Sequence, residues 1–496
     1  MLKQGAAVMM QPWTEYSALF VELARQLKRE YGCRIHLYVS IDRDVLHYSK
    51  IDDGGLFESV NLVGEIAVQS LEPAPPRDQI VAEARENEQW LGMTYNELAV
   101  SNRHLGRGFA LGGFYHPRSR LSENIDYWTM LHIFNGNISY WRREIEQKRP
   151  AMAIQMRKHC AVVARKMGIP MRWLAIARFK NYYHWTHTEF AELPTLERTY
   201  RRIREALPTE LDAPYKAHMD LREVFRKRAS LWRTTAHAGY VFAQRVYWWL
   251  RGYQKGRSYY IRGHVATIFR NRSQLRETTG RNAVQLETLA GQRFVFFPLH
   301  TEPEEALQGY SPEYFYQLSC IAALARDLPA GVLLAVKDTY AAVGRRPDNF
   351  YDQIRAFKNV VLLDTMTVGP DVIRASAAVA TITGTAGFEA VVMGKPVVTF
   401  GHHNLYNFLP HVRFIDNERD LKPALAELLD EGFDREAACL AGGRFLAAVT
   451  EESFDLGSFD LRKRGEIAPE QAKTAYDALI ASLYPVTPAL KDTVNA

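Results

Sequence analysis

Through the first 190 residues, short apolar runs rich in β-branched side chains alternate with stretches whose apolar positions recur every three or four residues. Runs at 6–10 and 34–40 read as strands around an amphipathic helix at 16–31. Two more, at 151–156 and 172–177, flank a helix that stops near Gly168-Ile169-Pro170. The second half repeats the pattern, with strands expected at 294–299, 332–337, 360–363, 379–383 and 397–400 and a helix over 312–327. Such alternation predicts parallel sheets with helices on both faces. The expected fold class is α/β: two doubly wound, Rossmann-like domains that face each other across a cleft at the carboxyl ends of their strands. The expected boundaries are 1–190 for the first α/β domain and 286–460 for the second. Residues 461–496 form a C-terminal helix and tail.

Residues 191–285 break the alternation and form a basic, aromatic helical insertion or linker. From Arg222 to Arg272 there are twelve Lys or Arg and one acidic residue, Glu223. Phe225, Trp232, Tyr240, Phe242, Tyr247, Trp248 and Trp249 are interleaved with them at helical spacings. The first expectation is a helical insertion with its apolar face in the core and its basic face in water. The second is a peripheral membrane surface, in which basic residues meet anionic lipid and Trp and Tyr settle among the headgroups. Nucleic acid ranks last, because no recognised nucleic-acid motif accompanies the segment.

The most concentrated signal is AVATITGTAGFEAVVMGKPVVTFG, residues 378–401. It reads as strand, small-residue turn, short helix, Gly-Lys-Pro stop and second strand. Gly384 and Gly387 allow close approach to the turn, and Thr385 stands at the start of the helix. A helix beginning just past a buried strand offers free N–H groups and the positive end of a dipole, which suits a phosphate. Thr383, Gly384, Thr385 and Gly387 are therefore candidates for phosphate contact, and Glu389 for a sugar hydroxyl. An ordinary βαβ crossover is the alternative, because Gly and Thr also fill turns that bind nothing.

This unit, with VFFPLHTEPE (295–304), LLAVKDTYAAVGRR (333–346), NVVLLD (359–364) and GIPMRWLAIARFKNYYHW (168–185), resembles the capsule and surface-polysaccharide biosynthesis proteins. That group is similar to nucleotide-sugar glycosyltransferases of the two-domain GT-B architecture, including capsular Kdo transferases. The resemblance implies a nucleotide-sugar donor on the second domain and a glycan or lipid-linked acceptor on the first. Lys337, at the end of a strand, is a candidate for a diphosphate, with a surface salt bridge as the alternative. His402, after the last strand of the unit, is a candidate to face the cleft. One departure stands out: Lys337-Asp338-Thr339-Tyr340 replaces the family's usual Lys-Glu-His-Pro, which serves the CMP phosphate in related transferases. Transfer of an alcohol phosphate from a CDP-alcohol, as in teichoic-acid synthesis, and binding without turnover are the alternatives.

His300, Glu302 and Glu304 follow the first strand of the second half and are candidates for proton transfer or contact with sugar hydroxyls, with His104 a further candidate for proton transfer. Alternatively, the carboxylates cap the following turn and His300 is a hydrogen-bonded edge residue. Glu97 is an alternative base. Arg103 and Arg107 are candidates for the acceptor side. Arg345 and Arg346 are weaker candidates for the phosphates. No metal site is expected: no Asp-x-Asp motif stands in a suitable context, and His402-His403 has no further ligands nearby in sequence. No cofactor is expected beyond the nucleotide-sugar substrate.

The net charge of +6 favours anionic partners without choosing among them. Cys33, Cys160, Cys320 and Cys439 lie far apart and read as reduced thiols. With no apolar run long enough to span a bilayer, the expectation is a cytoplasmic protein, peripheral to the inner face of the membrane if the second reading of the insertion holds.

Overall fold

The computed structural model describes residues 2–13, 16–52, 54–63, 74–100, 102, 105, 125–157, 159–204, 230–302, 307, 309–459 and 466–483. Two sheets organise them. The first contains β1 (Ala7–Met10), β2 (Arg34–Val39), β3 (Ser59–Leu62), β4 (Met152–Ile154), β5 (Met171–Ile176), β6 (Tyr182–Thr186) and β13 (Phe454–Asp455). Its order is β13-β6-β5-β4-β1-β2-β3; β6 and β13 run antiparallel to their neighbours and the rest are parallel. The second contains β7 (Arg293–Pro298), β8 (Val332–Lys337), β9 (Val360–Leu363), β10 (Ala378–Thr381), β11 (Val397–Thr399) and β12 (Val412–Phe414), all parallel, in the order β12-β11-β10-β7-β8-β9.

Counted from its own first strand, the second sheet reads 3-2-1-4-5-6, the doubly wound dinucleotide-binding order. Its strands are buried on both faces, which explains their near-continuous apolar runs. Phe294 and Phe296 face one core, with Val379, Phe388 and Phe445. Val295 and Phe297 face the other, with Ile321, Leu324 and Ile354. The expected α/β class with two Rossmann-like sheets is the observed one.

The chain crosses between the sheets more often than two sequential domains require. Leu196 and Tyr200 pack into a core of the second sheet. Residues 454–455, within the span assigned by sequence to the second domain, supply the outermost strand of the first sheet. The C-terminal helix Pro469–Ser482 then packs on the helix Ser17–Tyr31, with Ala472, Ala475, Tyr476 and Leu479 in the first sheet's core. Of the helix expected at 312–327, residues 312–314 form a 3-10 turn and Leu318–Asp327 the α-helix.

The insertion is a helical hairpin of α1 (Leu231–Leu250) and α2 (Ile261–Glu277), but it does not pack as first expected. Thr234 and Ala238 are the buried residues of α1, and the hairpin's partner helix lies against α1. Trp232, Tyr240, Phe242, Tyr247 and Trp249 instead face outward, Trp232 at 79% exposure, whereas Trp248 is half-buried with the Arg43 guanidinium 4.5 Å from its ring centre. Small residues make the closer helix contact, so the bulky ones are left on the far side. Residues 222–229 lie outside the described residues.

Candidate functional site

The order of the second sheet reverses between β7 and β10, and such a switch point opens a crevice at the strands' carboxyl ends. His300 lies just past β7, and Thr383-Gly384 just past β10. The helix α3 (Thr385–Val392) starts at once, with Gly384 as its N-cap at φ 104° and ψ 179° and no side-chain cap. That backbone conformation favours glycine. A Cβ there would also come within 3.2 Å of the His300 ring. The N–H groups of the first turn of α3 therefore lie behind a turn that has no side chain at its cap.

His300 holds the turn. Its Nε2 lies 3.0 Å from the Thr383 N–H, touches the Thr383 carbonyl and is 3.5 Å from the Thr381 hydroxyl. Its backbone N–H donates to Gln317 at 2.7 Å. Burial pushes its pKa down to about 4, so the ring is neutral at pH 7. The Nδ1 atom is buried and has no hydrogen-bond partner among the described residues, and the same is true of the Tyr406 hydroxyl. A ring committed to the backbone of the turn is a positioning group, not the free proton acceptor expected from sequence.

Glu302 is not a free carboxylate either. It is buried, accepts from Gln317 Nε2 and lies 3.3 Å from Arg346 Nη1. Arg346 in turn clamps Asp338 through two hydrogen bonds, 2.8 and 3.1 Å, and donates to the His300 carbonyl at 2.6 Å. The Tyr351 hydroxyl completes the set, donating to Asp338 at 2.7 Å. Burial raises the Glu302 pKa; it also opposes the charge on Arg346, but Asp338 and Glu302 outweigh it and hold that charge firmly. Two acids and one arginine thus form a buried brace under the switch point. Arg346, weighed from sequence as a phosphate contact, is inside that brace.

The other expected residues divide. Thr385 is exposed at the mouth of the turn and Thr383 is buried. Gly387 is a packing glycine: a Cβ there would meet the Tyr406 hydroxyl at 2.1 Å and the Thr381 methyl at 2.8 Å. Glu389 is buried on α3, with 5% of its surface exposed. Lys337 is half-buried, with its Nζ 3.3 Å from the Asp338 carbonyl. His402 is exposed near Glu313 and Asp416, whereas His403 stacks on Phe190 at 4.2 Å and bonds Glu192 at 2.9 Å. Of the two histidines, His403 is the one that meets the first half of the chain. In the Gly-Lys-Pro stop, the Lys395 ammonium donates to the carbonyls of Arg374 and Ser376, both at 2.7 Å, and burial lowers its pKa to about 8.

The turn between β5 and β6 supplies a residue that sequence reading missed. Arg178 has φ 61°, an uncommon conformation for a side chain of its size, and donates to the Gly384 carbonyl at 2.5 Å. A cation from the first half thus touches the cap of α3. The only signal in sequence was a basic residue at a strand–turn–strand tip.

The first sheet has its own switch point, between β1 and β4. There Gln11 accepts from the Arg157 N–H at 3.2 Å, and the Arg157 guanidinium lies 4.3 Å above the Trp13 ring. Buried Gln155 has φ 57° and accepts from the Leu174 N–H at 2.9 Å. Arg103, His104 and Arg107 lie outside the described residues, as does Glu304. Glu97 accepts from the Thr94 N–H at 2.6 Å and caps its own short helix, which is not the geometry of a base. Among the described residues no cluster of three or more His, Cys, Asp or Glu is placed to hold a metal ion.

Among solved structures, this chain is similar to the β-Kdo 2,7 transferase of Thermosulfurimonas dismutans KpsC, at 12% identity over 70% of this chain and 90% of that one, TM-score 0.32. The β-Kdo 2,4 transferase of the same protein gives 13% identity over 59% and 79%, TM-score 0.30. The UDP-GlcNAc 2-epimerase of Methanocaldococcus jannaschii gives 9% over 90% and 99%, TM-score 0.26. These stand as likenesses only. No curated protein matches the chain. The family model of the capsule polysaccharide biosynthesis proteins matches residues 211–409, which run from the insertion through the β10–α3 turn to the loop after β11, and over that span the resemblance read from the sequence is shown.

Proposed function

We propose that the protein is a glycosyltransferase of capsule-type polysaccharide synthesis, with its nucleotide-sugar donor at the β7–β10 switch point. One observation carries this reading: the uncapped start of α3, its glycine cap braced by His300 from below and touched by Arg178 from the other half of the chain. In this reading the first-turn amides of α3 receive the donor phosphate. Arg178 shifts from the Gly384 carbonyl to the charge that develops on the leaving phosphate. The acceptor hydroxyl bonds to the anomeric carbon as the sugar–phosphate bond breaks, and its proton passes to a base on the first domain, with His104 as the candidate from sequence. Fixed donors aimed at the leaving group stabilise it without metal assistance, so chelators are expected to leave turnover unchanged. The acceptor lies against Trp13 and Arg157 at the first switch point.

Binding without turnover is a second reading, favoured by the commitment of His300 and Glu302 to structural bonds and by Thr339-Tyr340 in place of His-Pro. A thermal-shift screen against CMP, UDP, GDP, dTDP and CDP is the first test, since a ligand stabilises the state it binds. The matching nucleotide-sugars are then assayed for transfer. One stabilising nucleotide, lost in a folded Gly384→Val variant, supports the site. No stabilisation by any nucleotide overturns it, and stabilisation without turnover selects the second reading.

A further inference from the structure

Among the described residues, the hairpin leaves an apolar stripe of α1 facing outward. Trp232, Ala236, Gly239, Tyr240, Ala243, Tyr247 and Leu250 recur at helical spacing along one side. Trp232, Tyr240, Tyr247 and Leu250 are 79%, 63%, 51% and 69% exposed. Arg233 and Arg251 flank the stripe, and the Arg251 guanidinium lies 5.6 Å from the Tyr247 ring centre. Between residues 230 and 276 there are nine Lys or Arg and no acidic residue. No helix among the described residues is long and apolar enough to cross a membrane.

We infer that α1 lies flat in the headgroup layer of an anionic lipid bilayer, with the Trp232–Leu250 stripe inserted and the flanking arginines on lipid phosphates. An apolar helix face carrying Trp and Tyr and bordered by arginine matches the chemistry of that layer, where one side of the helix is dry and the other wet. A second copy of the chain packed on the stripe would bring the flanking arginines of both copies together, and their like charges oppose that pairing. The hairpin is also firmly tied to the protein. From α2, Arg270 donates to the Arg346 carbonyl and pairs with Asp348, both at 2.5 Å, and Gln274 bonds the Gly344 N–H at 2.7 Å and the Arg346 carbonyl at 2.8 Å. Docking α1 on a bilayer would therefore hold the buried brace, and the switch point above it, at a set height from the surface.

Co-sedimentation of the full chain with vesicles tests this. Vesicles of phosphatidylglycerol and phosphatidylcholine should bind it at least about tenfold more tightly than phosphatidylcholine alone, and raising the salt well above physiological strength should release it. A Trp232→Ser/Tyr247→Ser variant, altered only at exposed positions, should keep its melting temperature and lose at least about tenfold in vesicle affinity. The inference is overturned if the protein ignores anionic vesicles at low salt or if the double variant binds them like the parent. Concentration-dependent self-association that the double variant abolishes would also overturn it, by assigning the stripe to a second copy.

Discussion

Between β7 and β10, the switch point of the second sheet stands on buried charge: Glu302, Arg346 and Asp338 below, His300 bonded into the turn, and a glycine at the cap of α3. Between β1 and β4, the switch point of the first sheet carries amide side chains and a half-exposed tryptophan under an arginine. Both are reversals of strand order, and their side chains differ. A site braced by interlocked ionic and backbone bonds changes shape little, which suits a fixed group such as a diphosphate. A site of aromatic and guanidinium surface suits, in the proposed function, varied sugar rings held by contact.

Acid should separate the two regions most strongly. Burial is the main cause that lowers the pKa of His184 to about 3 and of His300 and His411 to about 4, from an ordinary 6.5. The unfolded chain takes up protons near pH 6.5 while the folded chain waits until about 4, so stability is lost as pH falls through that window. Each group costs about 1.4 kcal/mol per pH unit there. Two of the three lie in the second half, whereas all nine tryptophans precede residue 250. Circular dichroism should therefore fall at a higher pH than tryptophan fluorescence changes, and coincident transitions would show that the two sheets unfold together.

Arg346→Met should be next in size. It strands Asp338 and Glu302 as buried charges without their partner, a loss of about 3–5 kcal/mol in urea unfolding. Arg178→Ala should leave that stability nearly intact and slow transfer by about 10²–10³-fold, as removal of a donor to a leaving oxyanion does; unchanged kcat would remove Arg178 from the site. Gly387→Val should destabilise by about 1–3 kcal/mol through overpacking against Tyr406 and Thr381, which a lowered melting temperature would reveal. Smallest is Trp13→Ala, expected to raise the acceptor KM a few-fold, the equivalent of about 0.5–1 kcal/mol for an exposed cation–π contact, without altering nucleotide binding.

The second sheet was legible in sequence because its strands are buried on both faces and read as apolar runs; the strand expected at 332–337 is Val332–Lys337 as observed. The half-exposed β3 gives no such run, and β13 is a strand only because Tyr182 and Tyr183, some 270 residues earlier, lie beside it. The β10–α3 turn was legible as a turn because small residues between an apolar strand and a short helix mark one. The brace was not, since Glu302, Asp338 and Arg346 are ordinary loop charges until the fold encloses them. Assigning the stripe of α1 to the core followed from treating every apolar helix face as a packing face; Thr234 and Ala238 made the contact instead.

The return of residues 454–455 and 469–482 to the first sheet has a consequence for synthesis. A ribosome delivers β1 through β6 long before the helix that closes their core, so the first half must wait, with one side of the helix Ser17–Tyr31 uncovered, until residues 469–482 have emerged. Nascent chains stalled before residue 469 should accordingly be protease-sensitive in their first half, whatever the state of the second.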